Sequence, residues 1–140
     1  MSPIRENYDR IASTFFNIYS LFLIDESIRN DVSLKCLEKW SMQLDVETEK
    51  LEEIKNNPNY SPPLSRQEAL ERVYDLVYMI YLDGVVEDDE LQVTSQYAEK
   101  LGLPPSIVGD LLKAIVTAPS DGISEAEVRH ELKELLEVHL

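Results

Sequence analysis

An internal repeat constrains the fold of this chain more than any other feature of its sequence. At an offset of 58 residues, segment 19–24 aligns with segment 77–82, and both are apolar and are followed by an aspartate, Asp25 or Asp83. At an offset of 57, five further apolar pairs align: Trp40 with Tyr97, Leu44 with Leu101, Val46 with Leu103, Leu51 with Val108 and Ile54 with Leu111. Because single repeat units rarely bury their apolar faces alone, the alignment predicts two diverged copies packed around one core.

The apolar residues recur at steps of three or four, which is the spacing of one face of an α-helix. The pattern predicts about seven helices and no strands, with helices near residues 8–24, 34–44, 46–54, 65–82, 88–101, 104–117 and 124–138. Ser65 with Glu68 forms a capping-box pattern at the start of the fourth helix, and Gly102 is a stop signal for the fifth.

These observations predict an all-α fold in one domain, residues 1–140. The first copy covers about 8–55, a linker rich in Asn and Pro covers 56–64, the second copy covers about 65–117, and a closing helix covers about 124–138.

Charge and apolar content exclude several classes of function. Thirteen basic against 27 acidic residues give a net charge of −14, which repels nucleic acid and anionic lipid surfaces. No apolar run approaches the ~20 residues of a membrane span, and no secretory signal is visible at the start. The single cysteine, Cys36, cannot form an intramolecular disulfide. We expect a cytoplasmic protein without nucleic-acid partners or membrane insertion, and its oligomeric state is left open.

The densest polar feature is the acidic turn, residues 83–90, which contains five carboxylates between two apolar helices. Oxygen ligands of this kind suit calcium, magnesium or manganese, whereas zinc prefers Cys and His. Asp83, Glu87 and Glu90 are the predicted ligands of a divalent cation. The alternative is that Gly84 ends one helix and the acids stabilise the positive end of the next. The pattern is not an EF-hand, because Gly84 directly follows the first Asp.

Residues 79–108, MIYLDGVVEDDELQVTSQYAEKLGLPPSIV, resemble the signature of the TerB-like tellurite-resistance family. The matching positions are Asp83, Gly84, Glu90 and the segment 101–103. The resemblance implies an all-α fold of about seven helices in two related halves, a role in stress responses, metal binding at acidic turns and membrane-associated complexes. The first copy has neither the glycine nor the spaced acid at residues 25–32, so the resemblance implies a site in the second copy only.

A stripe of tyrosines lies beside the apolar face of the fourth helix. Tyr74, Tyr78 and Tyr81 are predicted to bind a protein partner, because tyrosine is enriched where partners contribute binding energy. The alternative is core packing.

The sequence shows no machinery for catalysis. It has no phosphate-binding loop, no nucleophile elbow and no His-Glu-x-x-His motif. A metal-dependent hydrolase built on Asp83 and Glu90 would need a further base. The sequence therefore predicts a non-enzymatic, TerB-like stress-response domain that binds a divalent cation and a protein partner. The alternative is a purely structural interaction module without metal.

Overall fold

The structure is a computed structural model that describes residues 3–82 and 85–117, with side chains for 9–81 and 85–116. Over these residues it contains six helices and no strand: α1 (Pro3–Ile24), α2 (Asp31–Gln43), α3 (Thr48–Asn56), α4 (Arg66–Leu82), α5 (Asp88–Lys100) and α6 (Ile107–Thr117). The all-α prediction is confirmed for this part of the chain. The predicted closing helix, 124–138, lies outside it, so the count of seven helices stays a prediction.

The chain divides into two compact units, residues 1–61 and 62–140. In the first unit, α1 packs against α2 and α3. In the second unit, α4 packs against α5 and α6, and α5 also packs against α6. None of the helices in the described ranges is long and apolar enough to cross a membrane. The single core shared by both copies stays a prediction.

The core of the first unit is built on α1 and α2. Six large side chains of α1 are buried: Ile11, Phe15, Ile18, Tyr19, Leu21 and Phe22. Trp40 of α2 is wholly buried, but Leu34, which the periodicity assigns to the same apolar face, is 41% exposed. At 100° per residue, Leu34 lies about 120° around the helix from Trp40. Its side chain therefore falls outside the buried stripe.

The core of the second unit is built on α4, which is buried around most of its circumference. The buried positions are Ala69, Leu70, Val73, Tyr74, Asp75, Leu76, Val77, Met79 and Ile80. A helix that is apolar on nearly all sides belongs in an interior. Its start matches the predicted capping pattern, since the Glu68 N–H donates to Ser65 Oγ at 3.1 Å. In a capping box the Glu68 side chain would accept from the N–H of Ser65. Here Glu68 Oε2 accepts from the N–H of the preceding residue, Leu64, at 3.1 Å.

Helices α2 and α5 have matching bounds and matching ends. Each has 13 residues, and α5 begins and ends 57 positions after α2. Both end in the Schellman arrangement, in which the residue after the cap has a left-handed backbone. That residue is Asp45 (φ 52°) after α2 and Gly102 (φ 84°) after α5. The closing bonds are Val46 N–H to Ser41 O at 3.1 Å and Leu103 N–H to Ala98 O at 3.0 Å.

Two glycines in the described part of the second unit, Gly102 and Gly109, give a matched pair of substitutions. We expect Gly102→Ala to lower the free energy of unfolding by about 1 kcal/mol, because an L-residue is strained at this positive φ. Gly109 lies within α6, and an added Cβ there meets no described heavy atom within 4 Å. Gly109→Ala should therefore raise the free energy of unfolding by about 0.5 kcal/mol. Urea denaturation followed by circular dichroism measures both. Changes of the same sign would contradict the assigned end of α5.

Candidate functional site

The acidic turn overlaps the start of α5, because residues 88–90 are also the first three residues of the helix, and Glu90 is wholly buried. Glu87 is the N-cap of α5, with an extended backbone and an exposed side chain, and Glu90 is the third residue of the helix. The backbone N–H of Glu87 donates to Glu90 Oε1 at 3.2 Å. This is the bond by which a third-position acid caps a helix start, so the described geometry gives Glu90 a capping role.

The start of α2 offers an internal comparison for this cap. Asn30 and Ser33 lie 57 positions before Glu87 and Glu90. The Asn30 N–H donates to Ser33 Oγ at 2.9 Å, and the Ser33 N–H donates to Asn30 Oδ1 at 2.9 Å. Ser33, like Glu90, is 0% exposed. At the equivalent position of α2, a hydroxyl therefore accepts the bond that a carboxylate accepts at α5.

The two caps differ in what their burial costs. Moving an ionised carboxylate out of water is far more unfavourable than moving a hydroxyl. The positive end of the helix offsets part of that cost, typically about 0.3–1 kcal/mol. Since a hydroxyl suffices for the bond to the N-cap amide, the carboxylate brings a charge that this bond does not require.

The charges of the two turns also differ. In the first copy, the Ser27 N–H and the Ser27 hydroxyl both donate to Asp25 Oδ1, at 3.0 and 2.6 Å. Arg29 supplies a positive charge there, with Nη1 donating to Leu23 O at 2.9 Å and Nη2 lying 3.7 Å from Glu26 Oε1. The acidic turn 83–90 contains no Lys or Arg, and Val86 stands 57 positions after Arg29.

The structure describes two of the three predicted ligands, and these two differ in their exposure to solvent. Asp83 lies outside the described residues, Glu87 is exposed, and Glu90 is buried. The structure brings Glu87 and Glu90 together through the backbone amide of Glu87. Across 3–82 and 85–117, no group of three or more His, Cys, Asp or Glu side chains is placed to hold a metal ion. A cation site at this turn therefore needs a ligand such as Asp83 in addition.

The tyrosine stripe divides into a buried and a partly exposed part. Tyr74 is 2% exposed, whereas Tyr78 and Tyr81 are half-buried. The rings of Tyr74 and Tyr78 stack with centroids 6.0 Å apart and planes at 11°. Tyr74 therefore packs in the interior, and its burial leaves almost no surface for a partner. Its ring supports the ring of Tyr78 by stacking. Surface that a partner could reach remains on Tyr78 and Tyr81.

Two buried polar residues of the second unit were missed in the sequence. Asp75 of α4 is buried, and the signal for it was available, since it is the only charged residue between Arg72 and Asp83. Thr94 of α5 is also buried, and its Oγ1 donates to the Glu90 carbonyl at 2.7 Å. This bond links Thr94 to the residue that caps the helix. A threonine inside a helix gives no comparable signal.

Comparison with known proteins adds no assignment to this geometry. No family model, curated protein or solved structure matches the chain.

Substitutions of Glu90 in the presence of a metal chelator test the capping role alone. Glu90→Ala removes the acceptor and leaves a cavity, so it should lower the free energy of unfolding by about 1–3 kcal/mol. Glu90→Gln keeps the acceptor and the shape, so its loss should be clearly smaller. The control is Asp89→Ala, at an exposed neighbouring position. Urea denaturation measures all three. A Gln variant as unstable as the Ala variant would contradict the capping role.

Proposed function

We propose that this chain is a non-enzymatic, TerB-like stress-response module of the cytoplasm, which binds a divalent cation at the acidic turn and a protein partner through α4. One observation carries the proposal. Glu90 places a carboxylate in a wholly buried position where the equivalent residue of α2, Ser33, has only a hydroxyl.

The proposal treats the two units as diverged copies of one helical unit. Support comes from α2 and α5, which share their length, a bond from the N-cap amide to the side chain of the third helical residue, and a left-handed residue directly after the C-cap. Further support comes from α1 and α4, whose last residues, Ile24 and Leu82, are 58 positions apart. The comparison of Ser33 with Glu90 is then a comparison of equivalent positions, and a change of chemistry there points to a function gained or kept by one copy.

The proposed ligand is a hard divalent cation. Calcium, magnesium and manganese all take carboxylate oxygens and complete their shells with water. Asp83 and Glu90 would provide the protein oxygens of the site, with Glu87 at its exposed edge. Zinc is less suited, because its structural sites are built from Cys and His. The excess of acids in this turn, with no basic residue among them, favours the binding of any such ion.

The proposed partner surface is the exposed part of the tyrosine stripe. Tyr78 and Tyr81 each combine a half-buried ring with a phenolic hydroxyl, and Tyr78 is held in place by stacking on Tyr74. A ring that is already ordered loses little conformational entropy when a partner binds. These two residues are therefore the proposed anchors for a protein partner.

The second candidate is a purely structural interaction module without metal. It is favoured by the bond from the Glu87 N–H to Glu90 Oε1, because this bond gives the carboxylate a structural role as the cap of α5. In this case the remaining acids of the turn stabilise the positive end of α5 and keep the protein in solution.

Thermal melting of the full chain with calcium, magnesium, manganese or zinc separates the two candidates. A bound cation stabilises the folded state by RT ln(1 + [L]/Kd), which is about 2.7 kcal/mol at a hundredfold excess over Kd. We expect calcium, magnesium or manganese to raise the melting temperature. Asp83→Asn and Glu90→Gln should each remove most of the rise, since each removes a charged ligand and keeps the side-chain shape.

The matched control is Asp25→Asn, which changes the aspartate of the first copy and should leave the rise intact. An equal loss in that variant would mean that metal ions only screen the net charge of −14. If no metal raises the melting temperature of the parent, the structural module without metal is the correct account.

A further inference from the structure

The first unit contains an open groove of about 680 Å³ that is separate from the acidic turn. Helix α1 lines it with Phe16 and Asn17, and α3 lines it with Lys50 and Ile54. The segment that follows α3, residues 57–61, contributes the side chains of Asn57 and Asn59. The volume falls in the range of about 300–1,000 Å³ that is typical of ligand sites.

The lining of the groove is uncharged overall. Its two charged residues, Lys50 and Glu53, form an ion pair at 3.8 Å, and its other lining residues carry amides, hydroxyls or apolar groups. A neutral groove in a chain with a net charge of −14 selects neither a strongly anionic nor a strongly cationic ligand. Its chemistry suits a neutral ligand with many hydrogen-bonding groups, which could be a sugar or a peptide backbone.

Two contacts favour the peptide. The carboxamide of Asn17 binds both backbone groups of Ser61, donating from Nδ2 to the carbonyl at 3.0 Å and accepting at Oδ1 from the N–H at 3.2 Å. Lys50 Nζ lies over the ring of Phe16, 5.6 Å from its centroid, where a sugar ring would stack. One wall of the groove is therefore the chain's own backbone at Ser61, held by an asparagine side chain. The ring face of Phe16 on which a sugar would stack is covered by Lys50.

We propose that this groove binds an extended, uncharged peptide segment of a partner protein beside residues 57–61. The exposed carboxamides of Asn57 and Asn59 each offer two donors and an acceptor, so they can pair with the backbone of the peptide as Asn17 pairs with Ser61. The site needs no metal and belongs to the other unit, so it is independent of the function proposed for the acidic turn.

Amide chemical shifts of the full chain, labelled with ¹⁵N and kept in chelator, test the site. The probe is a pool of end-capped hexapeptides composed of Ser, Thr, Val and Leu. We expect saturable shifts in segments 13–20 and 50–61, with α5 unchanged. Replacing both Asn57 and Asn59 with Leu should weaken binding about tenfold, from the loss of their hydrogen bonds. The control is Gln92→Leu, which removes an exposed carboxamide from α5 and should have no effect.

Three results would overturn the proposal. One is the absence of saturable shifts with the neutral pool at millimolar concentration. Another is equal or stronger binding of a maltose oligosaccharide, or of pools containing Asp or Lys, which would assign the groove to a different ligand class. The third is unchanged affinity in the Asn57 and Asn59 double variant. Because chelator is present throughout, none of these results bears on the cation site.

Discussion

The burial of α4 against α5 and α6 is the constraint on which the second unit depends. Buried residues lie around most of α4, so the helices packed on it must each present a continuous buried stripe. On α5 that stripe contains Glu90, Val93, Thr94 and Tyr97, at the three- and four-residue steps of one helix face. The periodicity that brings Tyr97 into the interior also brings the carboxylate of Glu90 there. The charge is buried because the helix that carries it has to pack.

The first unit shows the same stripe with different chemistry. On α2, Ser33 and Trp40 are buried and lie seven residues apart, as Glu90 and Tyr97 do on α5. The cap and the large aromatic residue occupy the same relative positions in both helices. Exchanging the hydroxyl of Ser33 for the carboxylate of Glu90 therefore keeps the bond to the N-cap amide and places an acidic group in a buried position. This contrast is the physical basis for proposing a cation at the acidic turn and none at the turn that begins with Asp25.

The sequence predicted the helices well because their signals are local. Most helix ends lie within a few residues of the predicted ones. The signals are the apolar steps of three and four, the aspartate that follows Ile24 and the glycine, Gly102, that follows α5. Periodicity gives the direction of a buried stripe but not its width. Leu34 is therefore more exposed than its spacing indicates, and Tyr74 is more buried than Tyr78, although the two occupy one stripe.

The sites depended on information that a sequence pattern does not contain. The complete burial of Glu90 follows from packing between helices, and an acid at the start of a helix is usually exposed. The groove of the first unit gave no signal at all, because its decisive contact joins Asn17 to Ser61, 44 residues later in the chain.

The most direct measurement of the central claim is a crystal structure of the full chain grown with manganese, with anomalous scattering used to locate the ion. The account predicts one strong anomalous peak at the acidic turn, about 2.0–2.6 Å from carboxylate oxygens of both Asp83 and Glu90, and no peak at the turn that begins with Asp25. A structure without a peak at the acidic turn, in which Glu90 Oε1 still accepts from the Glu87 amide, would contradict it.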